Sequence, residues 1–283
     1  MKVLDIATQT ARTPLELLRE EADLIMRRAT DPAHDKPRYG LKDLKWYLDL
    51  SKNWGVCTLD ELFQQPPGAL LDIGAWYGLL CGAAWRAGWK ISAVDEVPIP
   101  SFSTLKIEER NAQLAVCNVC VDPLPFPDAS FNAVLCNEVL EHLVYAPILL
   151  FREIRRVLKP GGYLYLTTPN PAAISKLIRF ARGGNSEPTL PIYFVEDDAY
   201  NYKGLTFFKS VRETRLWTVG ELRQVLPKFG LEVVDHFYYG NTIADGVDTA
   251  GRRIKFEVNA LLRPLLKRNR LMGGGAYVKA RAI

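Results

Sequence analysis

The chain has 283 residues, 48% of them hydrophobic and 24% charged, the balance of a globular protein with a full core. Its 36 basic and 32 acidic residues leave a net charge of +4, too mild to mark a nucleic-acid partner. No apolar run approaches the ~18 residues of a membrane span, and the opening residues, MKVLDIATQTARTP, lack a signal peptide's long apolar core, so a cytoplasmic location is expected.

In chain order, Thr13-Pro14-Leu15-Glu16 is a capping box with proline at the first helical position. It opens a helix that ends before Asp31-Pro32. A second helix is expected over Leu41 to Asn53. Thr58-Leu59-Asp60-Glu61 reads as another capping box, for a short helix stopped by Pro66-Pro67-Gly68. Residues 1–66 therefore form a helical extension ahead of the first strand.

From Ala69 the pattern changes to short apolar strands alternating with amphipathic helices. Strands are expected at Ala69–Gly74, Lys90–Asp95, Leu114–Val119, Phe131–Asn137, Gly162–Thr168, Leu231–Tyr239 and Ala276–Ala282. Helices are expected near Tyr77–Ala87, Ala146–Leu158, Ala172–Arg182, Thr218–Phe229 and Arg253–Lys267. This alternation predicts a Rossmann-like α/β fold: a seven-stranded, mostly parallel sheet with helices on both faces, over residues 67–283. The long, aromatic stretch at about 183–212 reads as an insertion, and a loop of that length in a compact domain is usually functional.

The five cysteines (Cys57, Cys81, Cys117, Cys120, Cys136) form no regular framework, and the odd count favours reduced thiols. Cys117 and Cys120 make a C-x-x-C without a second pair at zinc spacing. On the strand expected there they would face opposite sides.

The stretch ALLDIGAWYGLL, Ala69 to Leu80, is a buried strand, a glycine turn and a helix start. Such a turn brings bare backbone N–H groups to whatever sits at the strand's carboxyl end. The spacing Gly74-Ala75-Trp76-Tyr77-Gly78 is not the G-x-G-x-x-G of dinucleotide binding. Asp95 ends the next strand about 21 residues after Gly74, where a carboxylate can accept from ribose hydroxyls. Asn118-Val119 ends the third strand, placed to meet an adenine edge. Nucleoside binding follows; pyrophosphate binding does not.

At Asp122 to Asn170 the chain resembles the class I S-adenosylmethionine-dependent methyltransferases. The segments DPLPFPDASFNAVLCNEVLEHL, EIRRVLKPGG and YLYLTTPN follow that family's succession. The resemblance implies S-adenosyl-L-methionine as cofactor. It implies that Asp72, Gly74, Ala75, Trp76 and Gly78 surround the methionine part. Asp95 would hold the ribose, Asn118 and Val119 the adenine, and Asn137 would lie under the sulfonium or the methyl acceptor. Two departures stand out. Trp76 replaces the usual middle glycine, and Asn118 replaces the usual adenine-binding acid.

Glu138, Glu141 and His142 form E-x-x-E-H, expected on one helical face at i, i+3 and i+4. The arrangement looks like that of metal-dependent O-methyltransferases, which implies a divalent cation such as Mg²⁺ held by Glu138, Glu141, His142 and Glu213. In metal-free relatives with the same motif, the Glu and His structure the helix start, or the histidine touches the acceptor. His142 is thus expected as general base or metal ligand, with Glu141 beside it. Arg215 is either a clamp for an acidic substrate group, a partner of the site's glutamates, or a helix-entry salt bridge before the capping box at Thr218 to Glu221.

The expected function is methyl transfer to an oxygen of a small metabolite or sugar unit, with Tyr193, Phe194, Tyr200 and Tyr202 shaping the acceptor pocket. Two alternatives are a non-catalytic binding protein of the same fold and an RNA methyltransferase. Arg252 to Arg270 holds seven basic residues and one acid among apolar ones, and Ile174 to Arg182 is similar. These stretches keep a peripheral membrane contact or a lipid-linked acceptor open.

Overall fold

The computed structural model describes residues 1–37, 40–143, 145–184, 199–208, 214–240, 271 and 273–283. The chain opens on a hairpin that the sequence did not announce, β1 (Val3–Asp5) with β2 (Thr10–Arg12). Helix α1 (Pro14–Thr30) starts at Thr13, whose capping box with Glu16 is complete. Helix α2 runs unbroken from Gly40 to Leu62. The two helices expected here are one, and the apparent capping box at Thr58 lies inside it. The reason is visible in its partners: the Thr58 hydroxyl turns to Asn137, and Glu61 pairs with Lys279 at 3.4 Å.

The main sheet has seven strands in the order β10-β11-β7-β6-β3-β4-β5. These are β3 (Ala69–Ile73), β4 (Lys90–Asp95), β5 (Gln113–Val116), β6 (Phe131–Asn137), β7 (Leu158–Pro169), β10 (Leu231–Tyr239) and β11 (Gly275–Ala282). Only β11 among them runs antiparallel to its neighbours. The expected Rossmann-like α/β architecture is what the chain adopts. Successive residues of β3 serve opposite faces, as strand geometry requires. Leu70 joins the core under α1, α2 and α3 (Leu79–Arg86), while Leu71 joins the core under α4 (Ile148–Val157) and α6 (Val219–Val225).

Some boundaries move. Strand β5 stops at Val116, before Asn118-Val119, so Cys117 and Cys120 lie in the following turn and not on a strand. All five cysteines are free thiols. Strand β7 begins at Leu158, ahead of the expected start at Gly162, so Lys159-Pro160-Gly161 lie within it. Its register against β6 shifts between Phe131 and Ala133. Helix α5 (Ile174–Ala181) follows β7, and the hairpin β8 (Ala199–Tyr202) with β9 (Leu205–Phe208) occupies part of the expected insertion. At its tip Lys203 pairs with Asp122 at 2.6 Å, the loop beyond β5. Tyr193, Phe194 and the helix expected at Arg253–Lys267 lie outside the described residues. Among the described residues, no helix is long and apolar enough to cross a membrane.

Candidate active site

Strand β3 pairs with β4 on one side and β6 on the other. The chain proceeds outward through β4 and β5 and then crosses back to β6. That reversal opens a crevice at the carboxyl ends of β3 and β6, the usual ligand position of an open α/β sheet. Gly74 follows β3 and Asn137 ends β6, so the two flank the crevice.

The loop from Gly74 to Gly78 is fastened to the neighbouring strand. The N–H groups of Gly74 and Ala75 both donate to the Val94 carbonyl, at 2.9 and 3.3 Å. Gly74 (φ +74°) and Gly78 (φ +80°) occupy left-handed backbone, where a side chain is strained. Space forbids one as well: a Cβ would lie 2.6 Å from Val139 at Gly74 and 2.5 Å from Leu105 at Gly78. Trp76 stands at φ +43°, so it keeps the left-handed bend that its position demands without being glycine. Its N–H donates to Asp95 Oδ2 at 2.9 Å, which ties the bend to the end of β4. Its ring packs on Tyr47 of α2 at 4.5 Å and on Tyr77 at 4.9 Å between centroids.

Asp95 is where the sequence places it, with its carboxylate already receiving the loop's backbone. Asn118 is buried, and its Oδ1 accepts from the Cys120 N–H at 3.0 Å; Val119 is half-buried beside it. Asp72 is buried and receives the Cys81 thiol at 3.2 Å. Burial pushes its carboxyl up to about 7; the thiol opposes this and the Asp95 charge adds to it. Asn137 is buried too. Its Oδ1 accepts from the Thr58 hydroxyl at 3.1 Å, while its Nδ2 has no partner among the described residues. Tyr47, Trp54, Asp72, Gly74, Tyr77 and Asn137 surround a cavity of about 10 Å³, room for roughly one water.

The E-x-x-E-H residues do not share a helical face. Glu138 takes φ +53°, and Leu140–His142 is a single 3-10 turn. The left-handed turn at Glu138 breaks the helical period, and Glu138 and Glu141 are held by different partners. Glu138 receives the Tyr239 hydroxyl at 2.6 Å, and burial raises its pKa against the hydrogen bonds from Tyr239 and Thr167. Glu141, buried, receives the Thr168 hydroxyl at 3.1 Å, and His142 Nε2 lies 3.9 Å from its Oε1. Among the described residues, no group of three His, Cys, Asp or Glu side chains is arranged to hold a metal. Glu213, the fourth expected ligand, lies outside them. Arg215 pairs with Glu221 at 2.9 Å and stacks on Trp217, so it serves the start of α6.

Tyr47, Trp54 and Thr58 of α2, and Tyr239 at the end of β10, are site neighbours that sequence reasoning missed. A signal existed only for Tyr239, which ends a predicted strand at the ligand-binding edge.

The fold is similar to that of solved S-adenosylmethionine-dependent methyltransferases. Residues 71–166 match the family model of a methyltransferase domain and overlap the Asp122 to Asn170 block that carries the resemblance noted above. Ubiquinone biosynthesis O-methyltransferase of Xanthomonas campestris pv. campestris (strain B100) is 39% identical over 114 residues, 38% of this chain and 47% of that protein. Its counterpart in Xanthomonas axonopodis pv. citri (strain 306) is 38% identical over 116 residues, 39% and 48% of the two chains. The chain thus spans about half the length of the curated relatives it matches. The structure of a SAM-dependent methyltransferase from Thermotoga maritima superposes with a TM-score of 0.51 at 14% identity, over 86% of this chain and 96% of that one. A protein of Pyrococcus horikoshii OT3 superposes at 0.50 and 15% identity, over 84% and 92%.

Proposed function

We propose that the chain is an S-adenosylmethionine-dependent methyltransferase acting on an oxygen of a small metabolite or sugar unit. The observation that carries the reading is the fastened glycine loop at the sheet's reversal point, with Asp95 and Asn118 beyond the next two strands. The matched relatives are named O-methyltransferases, which favours oxygen as the acceptor atom. We take residues 1–66 as an extension packed on this catalytic unit, residues 67–283.

The donor set suits the cofactor. Asp72 is a buried carboxyl without a cationic partner among its named neighbours, and a ligand ammonium would supply one. Backbone around Gly74, Ala75, Trp76 and Gly78 would hold the amino-acid part. Asp95 would accept from the ribose, and Asn118 with Val119 would border the adenine. When bound, the cofactor supplies a methyl group already made electrophilic by its sulfonium. The protein's own tasks are to align an acceptor hydroxyl and take its proton. His142, 40% exposed in its side chain, is the base in this reading, with buried Glu141 beside its Nε2. The hydrogen bonds that occupy Glu138 and Glu141 favour this over a bound Mg²⁺.

Calorimetry with S-adenosylhomocysteine tests the reading: saturable one-site binding is expected, with turnover unchanged by a chelator. Absent binding would instead support a methyltransferase-fold binding protein. The small cavity beside Tyr47 and Tyr77, whose rings cluster with Trp76, is the observation favouring that second reading.

A further inference from the structure

Two hydroxyl residues of α2 behave differently. Ser51 bonds back to the Tyr47 carbonyl at 2.8 Å, the ordinary i to i−4 contact of a helix interior. Thr58 is fully buried and instead reaches across to the main sheet, donating to Asn137 Oδ1 at 3.1 Å. Asn137 is 94% buried by its 6% exposure, at the end of β6, on the wall of the cavity that Asp72 also lines. A carboxamide presents an acceptor on one side and two donors on the other, in nearly the same shape. Which side faces the cavity depends on what holds the opposite one.

With Thr58 donating to Oδ1, the Nδ2 donors on the other side of the amide are the ones left without a partner among the described residues. The reverse orientation would set a carbonyl oxygen toward a cavity that already contains a buried carboxyl. A buried donor without an acceptor costs about 1–3 kcal/mol unless something fills the site. Thus a side chain from the N-terminal extension sets the polarity of a group in the catalytic unit.

We propose that Thr58 is a positioning residue of the nucleoside site: it locks the Asn137 carboxamide so that Nδ2 donates into the cavity, to an acceptor atom of the bound ligand. This deepens the methyltransferase reading and rests on it. The extension is then a component of the site, not a packing appendage.

Calorimetry with S-adenosylhomocysteine on the full chain decides the matter. Thr58→Val keeps the shape and removes the hydroxyl, and should weaken binding about tenfold. Thr58→Ser restores the hydroxyl and should bind within about twofold of the unaltered protein. In the Asn137→Ala background, Thr58→Val should cost nothing further, because its effect passes through the missing amide. Equal losses in the valine and serine variants would mean packing alone and overturn the proposal. So would additive losses in the double variant, or unchanged binding in Thr58→Val. Should Thr58→Val not fold, Asn137→Asp takes its place: it can accept from Thr58 but cannot donate, so binding must fall about tenfold, and unchanged binding overturns the proposal. If the unaltered protein binds no S-adenosylhomocysteine, the functional reading itself fails and this proposal with it.

Discussion

At Asp72, burial and the nearby Asp95 push the carboxyl up to about 7, against an unfolded value of ~3.9. The folded chain therefore binds a proton that the unfolded chain releases. The stabilising contribution of this group is complete below about pH 4 and is lost as pH rises through about 7. Asp72→Asn has nearly the same shape and no charge. Its melting temperature should match the unaltered protein below about pH 4 and exceed it by a growing margin up to about pH 8. A gap that does not change with pH would show that Asp72 carries its charge comfortably in the fold. A ligand ammonium reverses the logic, because it favours the ionised form. S-adenosylhomocysteine should accordingly bind more tightly at pH 8 than at pH 6, and the asparagine variant should lose that dependence.

Between elements, the contact of α1 with α3 turns on one buried charge. Glu21 of α1 is fully buried; Arg110 Nη1 lies 2.7 Å from its Oε1, Arg110 Nη2 donates to Oε2 at 3.0 Å, and Arg86 Nε donates to Oε2 at 3.1 Å. Gly82 of α3 faces this cluster, and a Cβ there would meet the Glu21 carboxylate and the Arg110 guanidinium. Alanine is the better helix former by about 1 kcal/mol. The ion pair cannot retreat without leaving charge unpaired, so crowding wins. Gly82→Ala should destabilise by about 1–3 kcal/mol in urea unfolding; a stabilised variant would show that the cluster yields.

Local patterns made some elements legible and hid others. Strands β3, β4, β6 and β10 fall within a residue of expectation, because each is an apolar run bounded by turn residues. Helix α2 reads as two in the sequence because Thr58 and Glu61 mimic a capping box, and their true partners, Asn137 and Lys279, are remote in sequence. Glu138, Glu141 and His142 match a helical period, yet the positive φ of Glu138 breaks the period before it begins. The loop residues Asp72, Gly74, Gly78 and Asp95 were readable because a strand, a bend and a second strand place them locally. Tyr47 and Tyr239 were not, since only the tertiary fold brings them to the crevice.

Across the whole molecule, α2 is both a structural cover and a wall of the crevice. Its Tyr47 packs on Trp76 and Tyr77, and its Thr58 holds Asn137. The enclosed space of about 10 Å³ is far below what an adenosyl amino acid needs. A ligand seated beneath the helix is therefore expected to separate this part of α2 from the loop, at least transiently. Local opening of that kind is visible as amide exchange, and a ligand bound beneath the helix should suppress it. Hydrogen exchange followed by mass spectrometry should show peptides covering Tyr47 to Thr58 exchanging faster than those of β3 and β6 in the free protein. Saturating S-adenosylhomocysteine should slow the α2 peptides. It should leave those of α4 and α6, on the opposite face of the sheet, nearly unchanged. Protection confined to the loop after β3, with α2 unaffected, would mean that the nucleoside enters without moving the extension and that the cover is not a gate.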